Sequence, residues 1–305
     1  MADLRRTGHR ATDRGQMILL AGFAMAVTLL VLAVVINSAI ATENLGTRSD
    51  IGSTSGAVTY QGAVERGALE AFRYANEVNG SDDHDELAAN VTTAVEAVSA
   101  LSARQQVTRG YVPNASVVDT VEGTAIRDDT GEFTGPNDDS NWTVANSVSG
   151  VREFSLYVDR WNSTSPHEFR VVASDPSTWY LNVSYDGSEY EVGVTDSGAY
   201  QSCYSGPSGN FWVNVSAGTV AGSPCPALDM GSLGSYDLAF ENGSAVEEGR
   251  YSLVVNRSAA SRYDTDPGEP RGETVLYSAT VDLRYRGPDL SYRTSLRIAP
   301  GESDA

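Results

Sequence analysis

The sequence contains no lysine, only two cysteines and only three histidines. All 21 basic residues are therefore arginines, and 40 acidic residues outnumber them, which gives a formal net charge of -19. Two cysteines are too few for a cysteine-rich metal site. His9, His84 and His167 stand far apart, and none has a second histidine or cysteine at metal-ligand spacing. The sequence therefore predicts no metal site and no cofactor.

The distribution of charge argues against nucleic acid as a partner. Beyond Thr42 the chain has 17 arginines and 38 acidic residues, and no stretch of it is strongly basic. A protein that neutralises phosphates needs a basic surface. An acidic chain without lysine also suits a high-salt setting, where the Debye length falls to about 3 Å at 1 M and screens surface repulsion.

One long uncharged run lies near the N-terminus. No charged residue occurs from Gln16 to Thr42. As a helix, residues 17–41 would span about 37 Å, which exceeds the roughly 30 Å of a bilayer hydrocarbon core. No second apolar run of comparable length follows, so the sequence predicts a single membrane-spanning helix over residues 16–42.

The charges that flank this run predict its orientation. Four arginines lie within residues 1–15, and Glu43 follows the run. The positive-inside rule then places residues 1–15 in the cytoplasm and residues 43–305 outside the cell. We expect the cell membrane as the location and membrane lipid as one partner.

Three kinds of N-terminal processing fit the sequence. The apolar segment can remain as an uncut anchor. A signal peptidase can cut after Ala41, which would release a soluble domain, although the apolar region is long for a signal peptide. Alternatively, cleavage between Gly15 and Gln16 would leave Gln16 as the first residue of the mature chain, with the helix still attached.

The run Arg14-Gly15-Gln16 before the helix resembles the start of archaeal prepilins and preflagellins. With Glu43-Asn44-Leu45 after the helix and the segment 225–229, the whole chain resembles a family of uncharacterised haloarchaeal type IV pilin-like membrane proteins. The resemblance implies packing against other pilin-like subunits through the 16–42 helix. Leu20 stands where many pilins carry a glutamate, so the resemblance implies a minor pilin or pseudopilin-like component.

The external region predicts an α+β fold. Apolar residues recur at steps of three or four over residues 57–78 and again over residues 87–101, which predicts a helical hairpin close to the membrane. Later segments alternate apolar and polar residues and are separated by turn residues, which is typical of an antiparallel, sandwich-like sheet. The expected divisions are a leader (1–15), a membrane helix (16–42), a helical region (43–110), a linker-rich segment (111–150), a β-rich head (151–300) and a tail (301–305).

The external region also carries signs of export. An isolated pair of cysteines in an exported domain usually forms a disulfide, so we expect a bond between Cys203 and Cys225. Nine asparagines begin the Asn-x-Ser/Thr motif of N-glycosylation, which indicates an exposed, glycan-bearing surface. They are Asn79, Asn90, Asn114, Asn141, Asn162, Asn182, Asn214, Asn242 and Asn256.

No motif predicts catalysis. The run closest to a serine nucleophile elbow, residues 52–56, has threonine at its centre and favours a flexible joint instead. Three acidic clusters, at residues 82–86, 137–139 and 264–269, resemble parts of calcium loops but lack the full ligand spacing. We expect no enzymatic activity.

The leading interpretation is therefore a single-pass, pilin-like envelope protein with a glycosylated external head that serves assembly or adhesion. The alternatives are a plain membrane-anchored surface glycoprotein with no role in a filament, a secreted domain, and an extracellular enzyme.

Overall fold

A computed structural model describes most of the chain beyond residue 51. The described residues are 52–78, 81–163, 168–174, 178–207, 209–231, 233–263, 269–288 and 290–302. The predicted leader, the apolar segment 16–42 and the processing site at Gly15 and Gln16 lie outside them. Within the described residues, no helix combines the length and the apolar character needed to cross a membrane.

The chain divides into two compact units, residues 1–59 and residues 60–305. Only residues 52–59 of the first unit are described, and they form the start of a helix. All contacts discussed below lie within the second unit.

Two helices precede the strands in the described chain: α1 (Gly52–Glu77) and α2 (His84–Gln106). The strands are β1 (Val112–Gly131), β2 (Trp142–Val148), β3 (Val151–Trp161), β4 (Glu168–Ser174), β5 (Thr178–Tyr185), β6 (Glu189–Asp196), β7 (Ala199–Pro207), β8 (Phe211–Asn214), β9 (Thr219–Val220), β10 (Ser223–Pro224), β11 (Tyr236–Glu241), β12 (Val246–Val255), β13 (Arg271–Arg286) and β14 (Ser291–Ile298).

The strands form two antiparallel sheets. The larger has the order β10-β9-β8-β3-β12-β1-β13-β14, and the smaller has the order β2-β11-β4-β5-β6-β7. Inward side chains of both sheets share one hydrophobic core, which includes Phe154 and Leu253 from the larger sheet and Leu181 and Phe240 from the smaller. The predicted α+β class with an antiparallel, sandwich-like head is confirmed.

Strand β5 shows how the residue pattern builds this core. Trp179, Leu181 and Val183 are buried, whereas Tyr180 and Asn182 between them are half-exposed. Successive side chains of a strand point to opposite faces, so this alternation places one face in the core and the other toward solvent.

The helix pair forms where the sequence predicts helices. The Asp83 side chain caps α2 by accepting a hydrogen bond from the Asp85 backbone N–H at 2.9 Å. The two helices pack closely at Gly67, because a Cβ there would lie 2.8 Å from a methyl group of Val98. The predicted apolar stripe of α1 is buried at Tyr60, Val64, Ala68, Phe72 and Ala75.

Two features of the helices, one boundary and one buried position, differ from those that the sequence predicts. Residues 52–56, expected to be a flexible joint, are the first turns of α1. Two glycines weaken a helix by only about 1 kcal/mol each relative to alanine, so the remaining helix can extend through them. Leu101, expected on the buried stripe of α2, is exposed.

The larger difference concerns residues 111–150, which the composition predicts to be rich in linker. They contain β1 and β2, and β1 is the longest strand described. Strand β1 pairs with both β12 and β13. Neighbouring strands on both sides satisfy the backbone of β1, so this strand forms without a continuous alternation of apolar and polar residues. Its many polar and small side chains therefore give no local strand pattern in the sequence.

Helix α1 is attached to the larger sheet at an irregularity of β13. Val121 pairs with Ser278 and Glu122 pairs with Leu276, so Tyr277 is an extra residue that leaves a β-bulge. The side chain of Asn76 donates to the Leu276 carbonyl at 3.0 Å and accepts from the Leu276 N–H at 2.9 Å. One side-chain amide thus satisfies both backbone groups of Leu276.

Arg152 reinforces the same attachment from β3. Its side chain is 1% exposed and donates to the carbonyls of Leu276, at 2.9 Å, and Pro300. The guanidinium also lies 5.3 Å from the ring centre of Phe72 and 5.6 Å from that of Tyr277. Burial lowers the pKa of Arg152 from its usual value. A charge this deep persists only when it is paired, and Glu153 supplies the opposite charge.

We predict that Asn76→Ala lowers the free energy of unfolding by about 1–3 kcal/mol, because the Leu276 N–H loses its side-chain partner and the Leu276 carbonyl keeps only Arg152, in a partly buried place. Chemical denaturation of the purified protein measures the change. Asn146→Ala is the matched control, because Asn146 is exposed and should change the free energy by less than about 0.5 kcal/mol. Equal midpoints for the two variants would contradict the account.

Candidate functional site

A cleft of about 840 Å³ opens at one end of the head. Its apolar surface includes Val151 and Phe154 at the start of β3 and Leu228, Met230 and Leu233 in the connection between β10 and β11. Pockets of 300–1,000 Å³ that are mostly apolar with a few placed polar groups are typical of small-ligand sites. This cleft is the candidate functional site.

The disulfide holds one wall of the cleft. The wall contains residues 215–218 and residues from Pro226 onward. Cys225 donates its backbone N–H to the Gly218 carbonyl at 2.7 Å, and its sulfur is bonded to Cys203 on the edge strand β7. The predicted disulfide is thus confirmed, and it ties this irregular connection to the smaller sheet.

The opposite wall carries an ion pair and a tyrosine hydroxyl. Arg297 pairs with Glu302, and the Tyr277 hydroxyl donates to the other carboxylate oxygen of Glu302 at 3.2 Å. Burial raises the pKa of Tyr277, while Arg297 and Arg152 oppose that shift. A Cβ at residue 150 would lie 2.4 Å from the Tyr277 hydroxyl, so Gly150 leaves the room that this hydroxyl occupies.

Tyr236, at the start of β11, supplies a second hydroxyl. The residue is 4% exposed and lines the cleft, and burial raises the pKa of Tyr236 well above its usual value. Within the described chain, its hydroxyl has no hydrogen-bond partner. A tyrosine hydroxyl can both donate and accept a hydrogen bond, so Tyr236 offers a polar contact to a ligand in the cleft.

The geometry suits binding of a neutral, partly apolar ligand. Arg297 and Glu302 neutralise each other, and one oxygen of Asp229 already accepts from the Gly231 N–H at 2.8 Å. The described lining residues include no histidine or cysteine. In the described lining, the groups that could take part in acid–base chemistry are Asp229, Glu302 and the hydroxyls of Tyr236 and Tyr277.

The histidines and the three acidic clusters that the sequence singles out contribute no residue to the described lining of the cleft. The described residues contain no group of three or more histidine, cysteine and acidic side chains that could hold a metal ion. Nδ1 of His84 lies 3.6 Å from Oδ1 of Asp85, its neighbour on α2. The Asn137 N–H donates to the Glu269 carboxylate at 3.2 Å. This bond joins the acidic cluster 137–139 to the last residue of the cluster 264–269. His167 and residues 264–268 are outside the described chain.

Eight of the nine glycosylation motifs fall in the described residues, and Asn79 does not. Asn114 and Asn141 are exposed. The other six are half-exposed: Asn90, Asn162, Asn182, Asn214, Asn242 and Asn256. None of the eight is buried, so the fold leaves each of them at the surface.

Sequence reasoning did not find the cleft itself. Tyr236, Tyr277 and Glu302 are far apart in the chain and belong to no motif. Among the sequence features that carry the family resemblance, the segment 225–229 is the one that forms part of the cleft wall.

We predict that replacing both cysteines by alanine lowers the free energy of unfolding by about 3 kcal/mol, as expected for a loop of this length in the chain-entropy model. Denaturation midpoints in the presence and absence of a reductant measure the effect. The wild-type protein under reductant should approach the midpoint of the variant. A variant as stable as the oxidised wild type would contradict the role of the bond.

Comparison with known proteins assigns no activity to this arrangement. The sequence model of a protein family described only as "Family of unknown function (DUF7261)" matches residues 11–147, a little under half of the chain. No curated protein and no solved structure matches the chain.

Proposed function

We propose that this chain is a single-pass, pilin-like protein of the cell envelope. In this proposal, residues 16–42 anchor it in the membrane, residues 1–15 face the cytoplasm and residues 43–305 form the external part. The folded head then acts by contact, in assembly or adhesion, and not by catalysis.

The observation that carries the proposal is the bond between Cys203 and Cys225. Disulfides persist in oxidising compartments and are rare in the cytosol. This bond joins an edge strand to the wall of a cleft, and it accounts for both cysteines of the chain. It therefore supports an external position for the head.

The surface of the head supports the same position. None of the eight described acceptor asparagines is buried, which is compatible with an external glycoprotein. The excess of acidic residues beyond Thr42 favours solubility in high salt, where screening removes much of their mutual repulsion. It also disfavours nucleic acid as a partner.

The cleft supports a binding role. Arg297, Glu302 and Tyr277 are engaged with one another, and apolar side chains line much of the cleft. The partners in the proposal are membrane lipid and, through residues 16–42, other pilin-like subunits. The family model matches residues 11–147, which include both the apolar segment 16–42 and the helix pair.

The mature N-terminus tests the proposal. Mass spectrometry of the membrane and medium fractions should find a membrane-bound chain that begins at Gln16. Gly15→Val should abolish this cleavage and the recovery of the chain in complexes, because a bulky residue replaces glycine at the cleavage site. Gly8→Val, in the same leader but away from the site, should be processed like the wild type.

Two results would overturn the pilin-like proposal in different ways. A membrane-bound chain that begins at Met1 or Ala2 would indicate a plain anchored glycoprotein. A chain in the medium that begins at Thr42 would indicate a secreted domain, and hydrolase activity in that fraction would then favour an extracellular enzyme.

A further inference from the structure

An aromatic platform lies on the outer face of the larger sheet. We use this name for Tyr157 on β3, Trp212 on β8 and Arg250 on β12. Tyr157 pairs directly with both Trp212 and Arg250 across neighbouring strands. The ring centres of Tyr157 and Trp212 are 4.8 Å apart. The Arg250 guanidinium carbon lies 4.5 Å from the ring centre of Tyr157 and 4.9 Å from that of Trp212.

This platform faces away from the core. Phe211 and Val213, which flank Trp212 in β8, point into the core, so Trp212 points outward. Its exposed fraction is 43%, whereas the other three tryptophans of the chain are at most 9% exposed. Trp212 therefore presents an exposed indole, tilted against the ring of Tyr157, on the outward face of the sheet.

Asn214 stands next to this platform on the same face of β8. It lies two residues after Trp212, and it begins the motif Asn214-Val215-Ser216. Its side-chain oxygen accepts from the Ala217 N–H at 2.8 Å. This bond fixes the amide, and within the described chain its Nδ2 makes no hydrogen bond. Nδ2 is the atom to which an N-linked sugar is attached.

At two other motifs, Nδ2 of the asparagine donates a hydrogen bond to the fold. Nδ2 of Asn256 donates to the Ser149 hydroxyl, while its oxygen accepts from the Ser149 N–H at 3.0 Å. Nδ2 of Asn162 donates to the Ser244 carbonyl at 3.2 Å. Attachment of a sugar at either asparagine would place a bulky group on an atom whose N–H already bonds to the fold.

We propose that Asn214 carries an N-linked glycan whose first sugar packs on the aromatic platform, and that Asn162 and Asn256 remain mostly unmodified. The inference rests on the proposed export of the head. In the reaction, Nδ2 forms a bond to the anomeric carbon of a sugar carried on a lipid phosphate. Nδ2 loses one proton, and the lipid phosphate leaves with the bonding electrons.

The chemistry of the platform matches that occupant. A sugar ring has an apolar C–H face and a polar hydroxyl edge. The rings of Trp212 and Tyr157, whose planes are tilted by 44°, offer apolar ring surface, and the Arg250 guanidinium offers several N–H donors beside it. Because Trp212 and Asn214 are neighbours on one strand face, the first sugar reaches the indole without a long spacer.

Two measurements on the full-length protein from its native host test this inference. Peptide-level mass spectrometry should find high occupancy at Asn214 and lower occupancy at Asn162 and Asn256. Acrylamide quenching of tryptophan fluorescence should rise by about twofold or more in Asn214→Asp, because Trp212 is the one exposed indole and loses its cover. Asn214→Asp keeps the acceptor for the Ala217 N–H, so the turn should be retained. Asn114→Asp is the matched control and should leave the quenching unchanged.

Each other outcome overturns the inference. An unmodified Asn214 in a chain that begins at Gln16 would refute the glycan and leave the proposed function intact. A glycan at Asn214 with equal quenching in both variants would refute its packing on the platform. Protection of Trp212 that depends on protein concentration in Asn214→Asp would assign the platform to a second copy of the chain.

Discussion

The backbone of Leu276 joins the helix pair to the sandwich. The bulge at Tyr277 interrupts the register of β13 with β1 beside Leu276, and the side chains of Asn76 and Arg152 bind the backbone groups of Leu276 there. Side chains from α1, β3 and β13 and the carbonyl of Pro300 therefore meet at one buried place. The same Tyr277 extends its hydroxyl into the cleft, so the attachment of the helices and the shape of the candidate site depend on one irregular strand segment.

The sequence predicted those parts of the fold in which one local pattern suffices. Strands with strict alternation, such as β5, and the apolar stripe of α1 could be identified because their burial follows the period of the element. Strand β1 could not be identified in this way, because its backbone groups are paired with β12 and β13 and with the helices. The Ala115 N–H, for example, donates to the Ser99 hydroxyl at 2.9 Å. Such partners are distant in the chain and leave no local signal.

The same distinction applies to the functional surfaces. The bond between Cys203 and Cys225 and the surface positions of the glycosylation motifs could be expected from residue types alone. The cleft and the aromatic platform could not, because each requires a register between strands. Tyr157 meets Trp212 only through the pairing of β3 with β8, and Tyr236 lines the same cleft as Tyr277 only because the two sheets pack together.

Native-state hydrogen exchange on the full-length protein tests most directly whether the helix pair and the sandwich form one cooperative unit. If the contacts at Leu276 unite them, the amides of residues 60–77 in α1 should exchange with the same free energy of opening as the central amides of β1 and β13. Exchange of the α1 amides at a clearly lower free energy, while the sheet remained protected, would show that the helices open independently and would contradict the account.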